Sequence, residues 1–208
     1  MSQQPSETHP SDKPVVTIFE AYGAGAQAIG QRVAEQLGLP YHEQAFSSAA
    51  LEGHDPSEQG AVLAQVFAVM GGAYGGFDGR DVATTQRQRY ELVMDNNRQV
   101  WEFADEGGVI VGRNGAVILA NRPHTLHVLL TGPVEDRVAR AAQVDGITEK
   151  QAAARQARED EVRAEMSIQL YGWDPRLPDR YDMVLNTSRV DVDGIVNAIV
   201  DAVRARTA

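Results

Sequence analysis

The stretch Val15-Val16-Thr17-Ile18-Phe19-Glu20-Ala21-Tyr22-Gly23-Ala24-Gly25-Ala26-Gln27-Ala28-Ile29-Gly30 decides the fold. It opens on a β-branched and aromatic run that is apolar at odd and even positions, as in a strand covered on both faces. A glycine-rich turn follows, and then Ile29, Val33 and Leu37 recur every fourth residue, the period of a helix. Strand, glycine turn and helix in this order aim backbone N–H groups and a helix N-terminus at one point, which suits a phosphate. A Walker A loop, G-x-x-x-x-G-K-[ST], adds a lysine for the outer phosphates and a hydroxyl for Mg²⁺. With Gly25 as the last glycine, Glu20 stands at the first glycine, Ala26 at the lysine and Gln27 at the hydroxyl. The dinucleotide fingerprint fits only in its looser form, ending on Ala28, with Glu43 as its acidic residue. The stretch alone therefore leaves two readings. One is a phosphate loop that works through backbone amides; the other is a tight turn whose glycines serve only the backbone.

The rest of the chain repeats the strand–helix alternation. The first strand is expected over Pro14 to Phe19, and its helix stops near Gly38, with Pro40 beyond it. Leu39 to Glu43 allows a second, very short strand. Asp55-Pro56-Ser57-Glu58 carries N-cap, first-position proline and capping glutamate. Val62, Leu63, Val66, Phe67 and Met70 then form an apolar face. Gly71 to Gly79 has five glycines in nine residues and reads as a mobile loop. A long helix is expected from Thr84 to Ala104, with Tyr90, Val93, Met94, Val100, Trp101 and Ala104 on one stripe and Asn97 interrupting it. That apolar face suits either the core or a homodimer interface. Val109 to Val111 is a buried strand leading to Gly112-Arg113-Asn114-Gly115, and Ala116 to Ala120 a short helix. Thr125 to Thr131 is a strand, and Gly132-Pro133 starts a helix with Glu135 and Asp136 in its first turn. Thr148 and Gln151 fit a capping box for an arginine-rich helix reaching Ile168. Met183 to Leu185 is the last strand, and a final helix starts near Val192. About five parallel strands with helices on both faces is the economical arrangement, with ligand sites at the strands' carboxyl ends.

Bulk properties narrow the chemistry. The chain has 208 residues, 43% of them hydrophobic, enough for one domain with a real core. Its net charge of −10 gives no general attraction to nucleic-acid polymers or anionic membranes. Without cysteine, disulfides and thiolate metal sites are excluded. The histidines show no metal-ligand spacing, so no metal site is expected. No G-x-S-x-G elbow supplies a hydrolase nucleophile. Met1 to Lys13 reads as a disordered polar tail without the apolar core of a secretory signal, and a soluble cytoplasmic protein is expected. Arg113 at a strand end can grip a phosphate or carboxylate with two N–H groups. Arg137 and Arg140, and Arg155, Arg158 and Arg163, share helix faces, where pairing with Glu135, Asp136, Glu159, Asp160 and Glu161 is the ordinary alternative.

Taken together these motifs resemble the cytidylate-kinase-like proteins of the P-loop nucleoside monophosphate kinases. The resemblance runs from about residue 14 to 204. It rests on Val16-Thr17-Ile18, Tyr22-Gly23-Ala24-Gly25, Ile29-Gly30, Leu39-Pro40-Tyr41 and Val109-Ile110-Val111-Gly112-Arg113. It continues through Glu135-Asp136-Arg137-Val138-Ala139-Arg140, Asp160-x-x-Arg163 and Tyr181-Asp182-Met183-Val184-Leu185-Asn186-Thr187-Ser188. It implies a three-layer P-loop NTPase-like fold over residues 14–208, with a nucleoside-monophosphate-binding insert over 54–95 and a lid over 137–180. It implies that Tyr22, Gly23, Ala24, Gly25, Ala26, Gln27 and Asn186 bind nucleotide, and that Glu43 and Arg113 lie at the acceptor monophosphate. Arg137, Arg140 and Arg163 are then the catalytic lid-side arginines, and ATP with Mg²⁺ the donor. The chain departs from the family pattern in two places. Ala26-Gln27-Ala28 offers no basic residue, and Asn114 stands where cytidylate kinases proper carry aspartate. The alternative on the same fold is a non-catalytic nucleotide-binding or regulatory protein, with a pure interaction module third.

Overall fold

The computed structural model describes residues 12–46, 48, 58–70 and 82–207. Strands β1 (Val15–Glu20), β2 (Tyr41–His42), β3 (Gly108–Val111), β4 (Thr125–Thr131) and β5 (Met183–Asn186) form one parallel sheet, ordered β2-β3-β1-β4-β5. The helices are α1 (Ala26–Leu37), α2 (Glu58–Met70), α3 (Val82–Glu106), α4 (Gly115–Ile118), α5 (Val134–Asp145), α6 (Glu149–Tyr171) and α7 (Val192–Thr207). β1 lies at the centre, with Val16 in register with Val109 on one side and Leu126 on the other.

The two parities of β1 feed two cores. Val16 and Ile18 join Val109, Val111, Val128 and Leu130 under Ile29 and Val33 of α1 and Ile195, Ile199 and Val203 of α7. Val15 and Ile110 face the other way, against Val100 and Ala104 of α3 and Leu119. Burial of each such aliphatic side chain contributes about 1.5–3 kcal/mol, which is why a central strand is apolar on both faces. α1 stops at Gly38, in the left-handed conformation at φ 65°, whose N–H turns back to Ala34 and Glu35. The Thr148–Gln151 capping box starts α6 as expected.

Three expectations shift. α3 is longer than predicted at both ends, and its stripe divides. Val100 and Ala104 are fully buried, whereas Tyr90 is 64% exposed, Met94 47% and Trp101 42%. Helical period identifies a face but not how far along the helix a partner covers it. α6 runs three residues past Ile168, to Tyr171 with Gly172 as its C-cap, and this brings the Tyr171 ring to the site described below. In α2, Leu63 meets Val162 of α6 beside Phe46, Phe67 and Met166. The capping residues Asp55 to Ser57, the Gly71 to Gly79 loop and nearly all of the N-terminal tail lie outside the described residues. Among the described residues no helix is long and apolar enough to cross a membrane.

Candidate functional site

The chain leaves β1 toward β2 and leaves β4 toward β5, that is, toward opposite edges of the sheet. A crevice opens at the carboxyl ends of such strands. The loop after β1 is stitched into it by α5 and α6. Tyr22 N–H donates to Asp160 Oδ1 at 2.7 Å, and Tyr22 C=O accepts from Arg137 Nη1 at 2.7 Å. Arg137 also reaches Gly132 C=O at 3.0 Å and Asp160 Oδ2 at 3.1 Å, and is only 5% exposed. One helical turn on, Arg140 donates to Gly23 C=O at 2.7 Å and to Thr187 C=O at 2.9 Å. The loop passes so close to α5 that a Cβ on Gly23 would lie 2.3 Å from the Arg137 carbonyl oxygen. Burial, and then the Asp145 carboxylate that the Tyr22 hydroxyl meets at 3.1 Å, push the Tyr22 phenol up to about 12.

The amides at the start of α1 converge on Glu20. Its Oε2 accepts Gly25 N–H at 3.1 Å and Ala26 N–H at 2.9 Å, and its Oε1 accepts the Gln44 side-chain N–H at 2.8 Å. Gln44 Oε1 in turn accepts from Arg163, whose other terminal nitrogen bonds Glu159 Oε2 at 2.7 Å. Glu159 is 1% exposed. Burial raises the Glu20 carboxyl above the usual range, and the nearby Glu159 charge adds to this against the pull of the amides and Arg163.

The turn after β3 has an uncommon backbone. Gly112, Arg113 and Asn114 all stand in the left-handed region, at φ 71°, 55° and 57°. A non-glycine residue there costs of order 1 kcal/mol or more and persists only when its surroundings impose it. They do so here. Gly112 N–H bonds Ile18 C=O at 2.8 Å, and Asn96 Nδ2 of α3 donates to Arg113 C=O at 3.0 Å. Asn96 also meets the Tyr171 hydroxyl at 2.7 Å, which donates to Asn97 Oδ1 at 3.1 Å. The turn aims the Arg113 guanidinium across the Phe103 ring, 5.4 Å from its centroid, with Nε on Glu43 C=O at 3.0 Å and Nη1 on Gln99. The His42 ring stacks on the same Phe103 at 3.8 Å. Burial, and then Arg113, lower the His42 pKa below its usual 6.5, favouring the neutral ring.

Arg113, Arg163, Gln44, Asn96, Gln99 and Tyr171 line one cavity of about 560 Å³, a size suited to a small ligand. A second of about 300 Å³ lies over the glycine loop and shares Glu20, Gln44, Phe46 and Arg163 with the first. Two adjoining cavities, one facing a glycine loop and one facing an arginine at a strand end, suit two ligands meeting end to end. Residues 15–189 match the model of the Cytidylate kinase-like family. The chain belongs to that family. A cytidylate kinase of Methanopyrus kandleri is 27% identical over 206 residues, covering 92% of this chain and 95% of that protein. A uronate isomerase of Corynebacterium glutamicum is 36% identical over 111 residues, 53% of this chain and 21% of that protein, so the chain spans about a fifth of that relative's length. The solved structure of an uncharacterised protein from Eubacterium ventriosum shares the fold, at 18% identity and a TM-score of 0.65, covering 93% of this chain and 100% of that one.

The structure brings together most of the residues singled out from the sequence. Tyr22, Gly23, Gly25, Ala26 and Gln27 line the smaller cavity with Glu43, Arg140 and Arg163, while Arg113 lines the larger. Three stand apart. Ala24 is 1% exposed and packs in the core. Arg137 is buried behind the loop. Asn186 lines neither cavity, and its Oδ1 accepts Ser188 N–H at 3.0 Å. Sequence reasoning missed Gln44, Asn96, Gln99 and Tyr171, and read Glu20 only as a missing glycine. For a cytidylate kinase-like chain the Mg²⁺ position is also unusual. The exposed Gln27 stands at the hydroxyl place, and among the described residues no three His, Cys, Asp or Glu side chains converge as a metal site. A Mg²⁺ ion arriving with ATP would draw its ligands from the phosphates and water more than from these side chains, and no step below is routed through the ion.

Proposed function

We propose that this cytidylate kinase-like chain binds a nucleoside monophosphate in the Arg113 cavity and transfers a phosphoryl group to it from ATP. The observation that carries the reading is the convergence of Arg113 and Arg163 on one cavity that adjoins the glycine loop. Arg113 holds the acceptor phosphate, its fork oriented by Glu43, Gln99 and Phe103. Glu43 borders the acceptor. Arg163 sits where the two cavities meet and neutralises charge on the group in transit. Arg140 and Arg137 act as positioning residues, since their donors fix the loop carbonyls of Gly23 and Tyr22. Phosphoryl transfer of this kind draws its rate from positioning and charge neutralisation. In this reading residues 54–95 serve as the monophosphate-binding insert and 137–180 as the lid, and the reaction is cytoplasmic, where both nucleotides are at hand.

A second reading is a nucleotide-binding protein without turnover. The observation favouring it is Glu20 on the loop amides together with alanine at the lysine place. One experiment separates the two. Pure protein is incubated with ATP, Mg²⁺ and each monophosphate; ADP formation and thermal shifts are followed together. A ligand bound to the native state raises stability. Turnover lost in Arg113→Ala supports the kinase. A monophosphate shift without ADP supports the second reading, and no shift with any nucleotide overturns both.

A further inference from the structure

The amide cluster at the start of α1 is satisfied from within the chain. One oxygen of Glu20 takes both Gly25 N–H and Ala26 N–H, and the other is held by Gln44. A carboxylate oxygen and a phosphate oxygen are equivalent acceptors for convergent N–H groups at a helix N-terminus, so the two ligands exclude each other. Glu20 occupies the place of the first glycine in a phosphate loop, where the lack of a side chain leaves the amides open. Charge around the loop points the same way. Among the described residues four carboxylates, Glu20, Glu43, Asp145 and Glu159, border the smaller cavity against two guanidiniums, Arg140 and Arg163. Both guanidiniums already have partners: Arg140 is bound to Gly23 and Thr187, and Arg163 to Gln44 and Glu159. An acidic cavity repels a polyphosphate. Among the described residues the Arg113 guanidinium is hydrogen-bonded only to a carbonyl and an amide oxygen and lies over a ring, with the Glu43 carboxylate acting on it through charge and not as a hydrogen-bonded occupant.

We infer that Glu20 is a built-in occupant of the phosphate site, so that a nucleoside triphosphate engages the loop only when the Glu20 side chain swings out. Glu20 is thereby a specificity-determining residue: it sets the chain to favour a monophosphate at Arg113 over a triphosphate at the loop. This deepens the two-cavity reading, on which it rests for the identity of the donor side.

The test compares dissociation constants for ATP and for CMP, by calorimetry, in the wild type, Glu20→Gly and Glu20→Gln. Glu20→Gly restores the loop's first glycine, and Glu20→Gln keeps the size while removing the charge. ATP affinity is expected to rise about tenfold in Glu20→Gly and by a smaller factor in Glu20→Gln, with CMP affinity unchanged within about threefold. Circular dichroism checks folding, and if Glu20→Gly does not fold, Glu20→Gln carries the comparison. Unchanged or weaker ATP binding in the folded variants overturns the inference and leaves the monophosphate reading standing. Equal gains for ATP and CMP also overturn it, since a merely loosened fold moves both. Absence of CMP binding in every protein overturns the monophosphate reading, while the ATP series still reports on Glu20.

Discussion

Asp160 and Arg137 close on the Tyr22 peptide from opposite sides. The carboxylate takes its N–H at 2.7 Å, the guanidinium reaches its carbonyl at 2.7 Å, and the two side chains meet at 3.1 Å. Asp160 lies 138 residues from Tyr22 in the chain, so the glycine loop is shaped by α6 as much as by its own glycines. Arg137→Met leaves a buried carbonyl without its donor and the Asp160 carboxylate without its guanidinium, held among the described residues only by the Tyr22 N–H and the Gln156 side chain. Breaking a buried pair in this way costs about 3–5 kcal/mol. Urea unfolding is expected to show a loss of that order, and a loss below about 1 kcal/mol would sink the assigned role.

Arg113→Ala removes the guanidinium from the larger cavity. A charge-assisted contact to phosphate is worth about 1.5–3 kcal/mol, so the CMP dissociation constant is expected to rise about 10- to 100-fold. Arg113→Lys recovers only part, because an ammonium lacks the planar fork. Full recovery by lysine would show that charge alone matters there.

Gly115 opens α4 against β1, where a Cβ would lie 2.9 Å from Thr17 Cγ2 and 3.0 Å from Thr17 Cβ. Thr17 cannot easily retreat, since its Oγ1 is bonded to His127 Nδ1 at 2.7 Å on the neighbouring strand. Gly115→Ala is therefore expected to cost about 1–3 kcal/mol by overpacking. Adding Thr17→Ser, which keeps the hydroxyl and drops the methyl, recovers part of it. Thermal melts of the single and double variants check this, and a double variant no better than Gly115→Ala removes the steric explanation.

Glu20 also predicts a pH dependence. Burial first, and then Glu159, hold its carboxyl above the usual 4.5 despite the amides and Arg163. A carboxyl raised in the fold binds its proton more tightly folded than unfolded. Its contribution to stability is thus fully present below 4.5 and is lost as pH rises through the folded value. Glu20→Gln has no such loss, so the stability difference shifts toward the variant as pH rises from 4.5 through the folded value. The reverse trend in paired urea titrations would reject the burial argument.

Much of this architecture was legible in the sequence because its signals are local. The Thr148–Gln151 capping box, the Gly38 stop and the five strands each follow from residues within a few positions of one another. The candidate site was legible where a residue sits at a strand's end, as Arg113 does. It was hidden where contacts are distant. Gln44 reaches Arg163 across 119 residues, and Asn96 reaches Tyr171 across 75. Asn97 was singled out from the α3 stripe, while its neighbour Asn96 makes the contact to the Arg113 turn. A single residue is about 100° of helix, finer than a loose apolar period resolves. Glu20 had a readable clue: an acidic side chain five and six residues before the amides it caps. Read as a substitution for glycine, it registered as a loss rather than as a ligand.

The left-handed run from Gly112 to Asn114 has a kinetic corollary. Its shape comes from the protein's own hydrogen bonds to Ile18 and Asn96, so the seat of Arg113 is set before any encounter. A turn that had to fold around its ligand would impose a slow phase whose rate levels off with concentration. A preset one gives a single phase in stopped-flow mixing, with a rate that climbs in proportion to monophosphate. Affinity differences among acceptor nucleotides should then reside in how fast each departs.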